Sequence, residues 1–146
     1  MNKHGYGEHP QIRDYGYEPF IFNIRHATGM NKNFRTTLWT GRDMQLTLMS
    51  IPARGEIGVE MHNGTDQFIR IEDGKAKIYV GNSVDNLREV ANVDGGYAIL
   101  VPAGTWHNIV NTGNRPLKLY SLYAPPQHPF GTVHPTKEDS DREEHK

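Results

Sequence analysis

From Phe34 onward, apolar and polar residues alternate in short runs broken by glycine and Asp/Asn turns, a rhythm that predicts a β protein. Arg35 to Trp39, the turn Thr40-Gly41-Arg42-Asp43 and Met44 to Ile51 read as a hairpin. Further strands are predicted at Ile57–His62, Gln67–Glu72, Lys75–Val80, Tyr97–Val101, His107–Asn111 and Leu117–Tyr123. Turns stand at Asp73-Gly74, Gly81-Asn82, Asp94-Gly95-Gly96 and Thr112-Gly113-Asn114. Many short strands at this spacing make a sandwich or barrel, and no stretch carries sustained helical periodicity. Residues 1–33 lack a clean period, with Phe20–Ile24 as their one strand candidate, and form an N-terminal arm. The barrel is assigned to residues 34–126 and a tail to 127–146, whose charged end from Lys137 is expected to fray. There is no internal repeat, so a single barrel is expected.

Alternation also sorts side chains by face. Lys118 favours solvent, which turns Leu117, Leu119, Ser121 and Tyr123 inward and makes Tyr123 the better pocket tyrosine. Glu60 and His62 share a face, while Arg70 and Lys77 alternate away from the interior. Arg35 has no assignable side. Trp106 falls on the opposite side of its strand from His107, which suits packing.

The densest signal is the run from Gly96 to Asn111. An apolar strand ends at Val101, Pro102-Ala103-Gly104 forces a corner, and His107 follows three residues later. A histidine at a fixed offset from a rigid corner is aimed reproducibly, as a metal ligand or catalytic base must be. Asn111, four residues on, is placed to help close the next turn. The spacing Gly-x5-Pro-x-Gly-x2-His-x3-Asn resembles the second motif of the cupin superfamily, small β-barrels that hold a metal ion in the barrel mouth. The first motif would read Gly-x5-His-x-His-x3-4-Glu-x6-Gly. Upstream stands Gly55-Glu-Ile-Gly-Val-Glu60-Met-His62-Asn-Gly-Thr-Asp-Gln67-Phe-Ile-Arg-Ile-Glu-Asp-Gly74. Its second half matches in length, but Glu60 occupies the first His position, Gln67 the Glu position, and the leading glycine is one residue closer. The resemblance therefore implies an all-β, single-domain jelly-roll barrel with Glu60, His62, Gln67 and His107 as metal ligands. Two imidazoles, a carboxylate and an amide oxygen suit Fe, Mn, Zn or Ni. An inward Glu60 without a metal would need a raised pKa and would become a natural general base.

Bulk properties narrow the functional classes. A chain of 146 residues has room for one core, and a net charge of −1 gives no electrostatic reason to expect nucleic acid or an anionic membrane. With no cysteine there is neither a disulfide nor a thiolate metal site. The N-terminal residues carry no apolar leader and no run is long enough to span a bilayer, so a cytoplasmic protein is expected. Asn63-Gly64-Thr65 reads as a turn.

The segment from Phe20 to Lys137 further resembles single-domain bacterial cupins described as mannose-6-phosphate isomerase-like, through Phe34-Arg-Thr-Thr-Leu-Trp-Thr-Gly, Leu46-Thr-Leu-Met-Ser-Ile-Pro, Asp66-Gln-Phe-Ile-Arg-Ile-Glu, Pro102-Ala-Gly-Thr-Trp-His-Asn and Tyr123-Ala-Pro-Pro. That resemblance implies a metal-dependent isomerase or lyase acting on a small sugar-like hydroxy-carbonyl compound, with Glu60 or Tyr123 as the candidate base. Two further readings stand beside it, a non-haem Fe(II) dioxygenase and a non-catalytic barrel that binds a small molecule or a metal. Family barrels pair through strand edges, and the N-terminal arm suits an exchange between subunits, so a homodimer is expected. His4, His9, His26 and His145 read as surface residues, whereas the segment carrying His128 and His134 could fold back over the barrel mouth or onto a partner.

Overall fold

The computed structural model describes residues 11–144. Among the described residues, nine strands and two helices follow one another: α1 (Ile24–Met30), β1 (Arg35–Thr40), β2 (Gln45–Ile51), β3 (Asp66–Asp73), β4 (Ala76–Gly81), β5 (Leu87–Val93), β6 (Ala98–Val101), β7 (Trp106–Asn111), β8 (Leu117–Ala124), β9 (Val133–His134) and α2 (Lys137–Glu144). The strands form two antiparallel sheets, one in the order β6-β3-β8-β2-β1-β9 and a smaller one in the order β5-β4-β7. The hairpin expected at residues 35–51 is β1 paired with β2.

The main core lies between the sheets. Met49, Ile51, Ile69, Ile71, Leu117 and Leu119 from the large sheet meet Ala76, Ile78, Val93 and Ile109 from the small one. Leu117 and Leu119 thus face inward as their alternation requires. The large sheet is buried on its other face too. Leu38, Leu46, Leu48 and Tyr120 pack there against Ile12, Tyr15, Phe20, Phe22, Ile24 and Ala27 of the arm. Residues 11–30 therefore cover their own chain's sheet, and β2 is buried along its whole length.

Register divides the interior by polarity. Across β3, β8 and β2, Ile71–Leu119–Met49 forms an apolar floor, Ile69–Ser121–Thr47 the next row, and Gln67–Tyr123–Gln45 a polar rim. The barrel is therefore greasy at one end and hydrogen-bonding at the other, and the site sits at the polar end.

Four segments differ from the reading of the sequence. Phe20–Ile24 is not a strand: Asn23 caps α1, its side chain accepting from the His26 N–H at 2.9 Å. The segment predicted as the strand Ile57–His62 forms no continuous ladder: isolated bridges to β7 stand at Glu56 and Glu60, and Gly58 takes φ 103° between them. β5 was absent from the prediction. The charged tail does not fray before residue 144: it forms α2, opened by reciprocal bonds between Thr136 and Asp139 and docked through the buried Ser140.

Candidate metal centre

The two halves of the site hold each other through the backbone. Glu60 and His107 exchange both N–H···O bonds, at 3.0 and 2.9 Å, so they stand directly opposite and their side chains share a face. His62 lies two residues further along, on the same side. Its carbonyl accepts from the Gly104 N–H at 2.8 Å, tying it to the Pro102–Thr105 corner. Gly104 has φ 85°, a conformation that glycine adopts without strain. The corner thus aims His107 and also fixes His62.

The outcome is a tight cluster. Glu60 Oε1 is 3.5 Å from His62 Nε2 and 3.4 Å from His107 Nε2. One ligand atom from each residue lies within 4.8 Å of the others, an arrangement that could hold a metal ion. His107 Nδ1 is 3.0 Å from the Thr105 carbonyl and donates to it, which leaves the Nε2 lone pair facing the carboxylate. Burial opposes charge on His107, but Glu60 prevails and raises its pKa. Burial likewise opposes ionisation of Glu60, yet His107, His62 and Arg35 outweigh it and hold the carboxyl well below the usual range. The centre is therefore built to attract positive charge, and the raised-pKa carboxyl considered from the sequence does not arise.

Gln67 belongs to the same polar end of the barrel. Its register partner on β8 is Tyr123, whose ring packs edge-on against His62 at 5.6 Å. The Gln67 amide donates to Ser121 Oγ at 3.1 Å, while its Oε1 has no partner. His62 Nε2 and His107 Nε2 are unpartnered as well. Three buried side-chain atoms with no hydrogen-bond partner around one carboxylate fit a divalent ion, and the mixed N/O donor set suits a first-row metal.

Three further residues sit here: Gln45, which the sequence reading did not single out, His128, whose segment it allowed to fold over the mouth, and Arg35, which it could not place. Gln45, fully buried, donates to the His128 carbonyl at 2.8 Å and accepts from the Gln127 and His128 N–H groups at 3.1 and 2.9 Å. This clamp folds residues 127–128 over the mouth, the first of the two arrangements the sequence allowed. The His128 ring meets Tyr123 at 5.3 Å; burial, aided by Arg35, pushes its pKa down to about 3, so the imidazole is neutral. Arg35 is buried, and its Nη1 donates to His134 Nδ1 at 3.2 Å and to Ser140 Oγ at 2.7 Å. No local signal marks these hydrogen bonds, which join residues 82 to 105 apart. His26 lies on α1, away from the cluster, whereas His4, His9 and His145 lie outside the described residues.

A small antiparallel jelly roll with a His/Glu cluster between its motif segments has the architecture of a cupin. The chain belongs to the cupin family: the family's Cupin domain model matches residues 47–123, which include all four candidate ligands. It is 57% identical over 129 residues to the uncharacterized protein YrkC of Bacillus subtilis, covering 88% of this chain and 69% of that one. It is 38% identical over 115 residues to the uncharacterized protein L612 of Acanthamoeba polyphaga mimivirus, covering 78% and 70% respectively. The crystal structure of BH2720 from Bacillus halodurans superposes with a TM-score of 0.88 at 53% identity, covering 90% of this chain and 99% of that one.

Proposed function

We propose that this cupin is a metal-dependent isomerase or lyase acting on a small hydroxy-carbonyl compound, with Glu60, His62, Gln67 and His107 holding a divalent ion. The observation that carries the reading is the set of three buried side-chain atoms without a hydrogen-bond partner beside an ionised carboxylate. Leaving such atoms unmatched costs about 1–3 kcal/mol each, and a cation in their midst removes that cost. A bound ion supplies Lewis acidity toward a carbonyl or hydroxyl oxygen. Glu60, held ionised between two imidazoles, then serves as ligand and not as base. Tyr123 and the neutral His128 imidazole remain in the chamber to exchange a proton with substrate. The likeness to mannose-6-phosphate isomerase-like cupins points to the same substrate class.

A second reading has its own support. Two histidines and one carboxylate form the facial set of non-haem Fe(II) oxygenases, and Glu60, His62 and His107 match it. The non-catalytic reading draws on the closure of the site, since the Glu60, His62 and His107 side chains are only 15, 7 and 2% exposed.

Metal analysis of the purified chain tests the centre first. The expected content is roughly one ion per chain, nearly abolished in His107→Ala and reduced in Gln67→Ala. Wild-type content in both variants rules the four-ligand centre out. Deuterium exchange from solvent into a hydroxy-ketone then supports the isomerase, whereas oxygen uptake by the Fe(II)-loaded protein supports the oxygenase.

A further inference from the structure

Among the described residues, four buried polar atoms stay unpaired after the metal donors are set aside: Arg70 Nε, which alternates away from the interior, and Arg35 Nε, Thr47 Oγ1 and His128 Nε2. Two of them share a wall. Arg35 pairs with Met49 and Thr37 with Thr47, so Arg35 and Thr47 are diagonal neighbours on the inner face of β1 and β2. Thr47 lies opposite Ser121, whose hydroxyl accepts from Gln67. A polar path thus runs from Arg35 through Thr47 and Ser121 to the metal centre, over the floor of Met49, Leu119 and Ile71.

Arg35 is 1% exposed, and no carboxylate among the described residues pairs with it directly. Its Nη1 is spent on two uncharged acceptors. His134 accepts through Nδ1 and passes its Nε2–H to Glu143 at 2.9 Å, so the nearest acidic group on that side is one imidazole removed. On the other side, Glu60 is already shared by two imidazoles. The buried guanidinium thus has no carboxylate in direct contact and feels Glu60 only through space, and a buried charge left without a hydrogen-bonded partner is costly. With a divalent ion in place, Glu60 (−1), Arg35 (+1) and the ion (+2) leave the chamber at +2.

We propose that Arg35 and Thr47 form a carboxylate-binding subsite beside the metal centre, so that the substrate is a small hydroxy or oxo acid. The Arg35 Nε–H and the Thr47 Oγ–H seat the carboxylate, while the hydroxy-carbonyl end faces His62, Gln67 and His107. The subsite rests on the metal-dependent reading above and narrows its substrate class. A carboxylate fits better than a phosphate. Two unpaired donors match two carboxylate oxygens, whereas a phosphate brings three oxygens and nearly two charges to a guanidinium with one edge already occupied. His128 roofs the same chamber, and the guanidinium's influence on both Glu60 and His128 places all three in one electrostatic environment.

Calorimetric titration of the metal-loaded protein with glycolate, lactate and pyruvate tests this, with dihydroxyacetone and inorganic phosphate as controls and metal content read on every sample first. At least one acid is expected to bind more tightly than either control. Arg35→Met and Thr47→Val should each weaken it roughly 10-fold or more, the scale of a lost charge-assisted hydrogen bond, with metal content and dihydroxyacetone affinity unchanged. Arg35→Lys keeps the charge but loses the fork, and should fall between. Failure of all three acids to bind, preference for phosphate or dihydroxyacetone, or wild-type acid affinity in both variants overturns the subsite. Should Arg35→Met not fold, the near-isosteric Thr47→Val decides. A wild type without metal overturns the metal centre alone, and Arg35-dependent acid binding by that chain still decides the subsite.

Discussion

Asn111 shows how much one side chain can hold. Its two amide N–H groups are shared among the carbonyls of Ile51, Pro52 and Arg115 at 3.0, 3.0 and 2.9 Å, and its oxygen accepts from the Gly113 N–H at 2.8 Å. Three strand ends therefore converge on one buried amide. Asn111→Ala should cost about 2–4 kcal/mol, the sum of several unmatched bonds, read as a lower urea midpoint. Asn111→Asp should cost more, since it places a carboxylate against three carbonyl oxygens; wild-type stability of Asn111→Asp would show that the amide donors do not matter. The turn-closing role was legible from the spacing after His107, and so were Glu60 and His62 on one face. The place of Arg35 was not, and for His128 the sequence left two arrangements open. Their environment depends on β9, α2 and the segment at residues 127–128 returning across the barrel, and no local period encodes such a return.

Among the elements, the segment carrying Glu60 and His62 depends on a single backbone angle. Gly58 has φ 103°, and an added Cβ would lie 3.2 Å from Lys137 Cε. The lysine end can yield, but the angle cannot be relaxed without moving the residues beside it. Gly58→Ala should therefore cost about 1–3 kcal/mol and lower metal content as Glu60 shifts. Gly29, near the end of α1, has nothing within 4 Å of an added Cβ, so Gly29→Ala should be neutral or stabilise by up to about 1 kcal/mol. Equal effects of the two changes on thermal melting and metal content would refute the distinction. The same physics decides which elements could be read in advance. Strands with one face in the core announce themselves by alternation, as β3 and β8 do. β5 is exposed or half-exposed along most of its length and carries no such contrast. α1 is too short for a helical period, and α2 is almost wholly polar. Its one sequence mark was the capping pair Thr136 and Asp139, a signal that stands apart from hydrophobic patterning.

At the scale of the molecule, the question is what meets the open edges of the large sheet. That sheet ends in β9 on one side and β6 on the other. β9 is two residues long and is followed closely by α2, so it offers little to a partner. β6 is different: its outer edge pairs with no described strand, and it carries Leu100 at 75% exposure, beside Tyr97 at 52%. Unpaired edges with apolar side chains recruit further strands unless something blocks them. The described part of the arm packs on its own sheet, so it leaves this edge open. We expect a homodimer joined through β6, and sedimentation at micromolar concentration should show it. Leu100→Lys should shift the chain toward monomer by placing charge on the edge. Because Glu60, His62, Gln67, His107 and Arg35 all come from one chain, the monomer should keep its metal and its melting temperature. A monomeric wild type removes the β6 interface, whereas loss of metal on dissociation would mean that the partner completes the site.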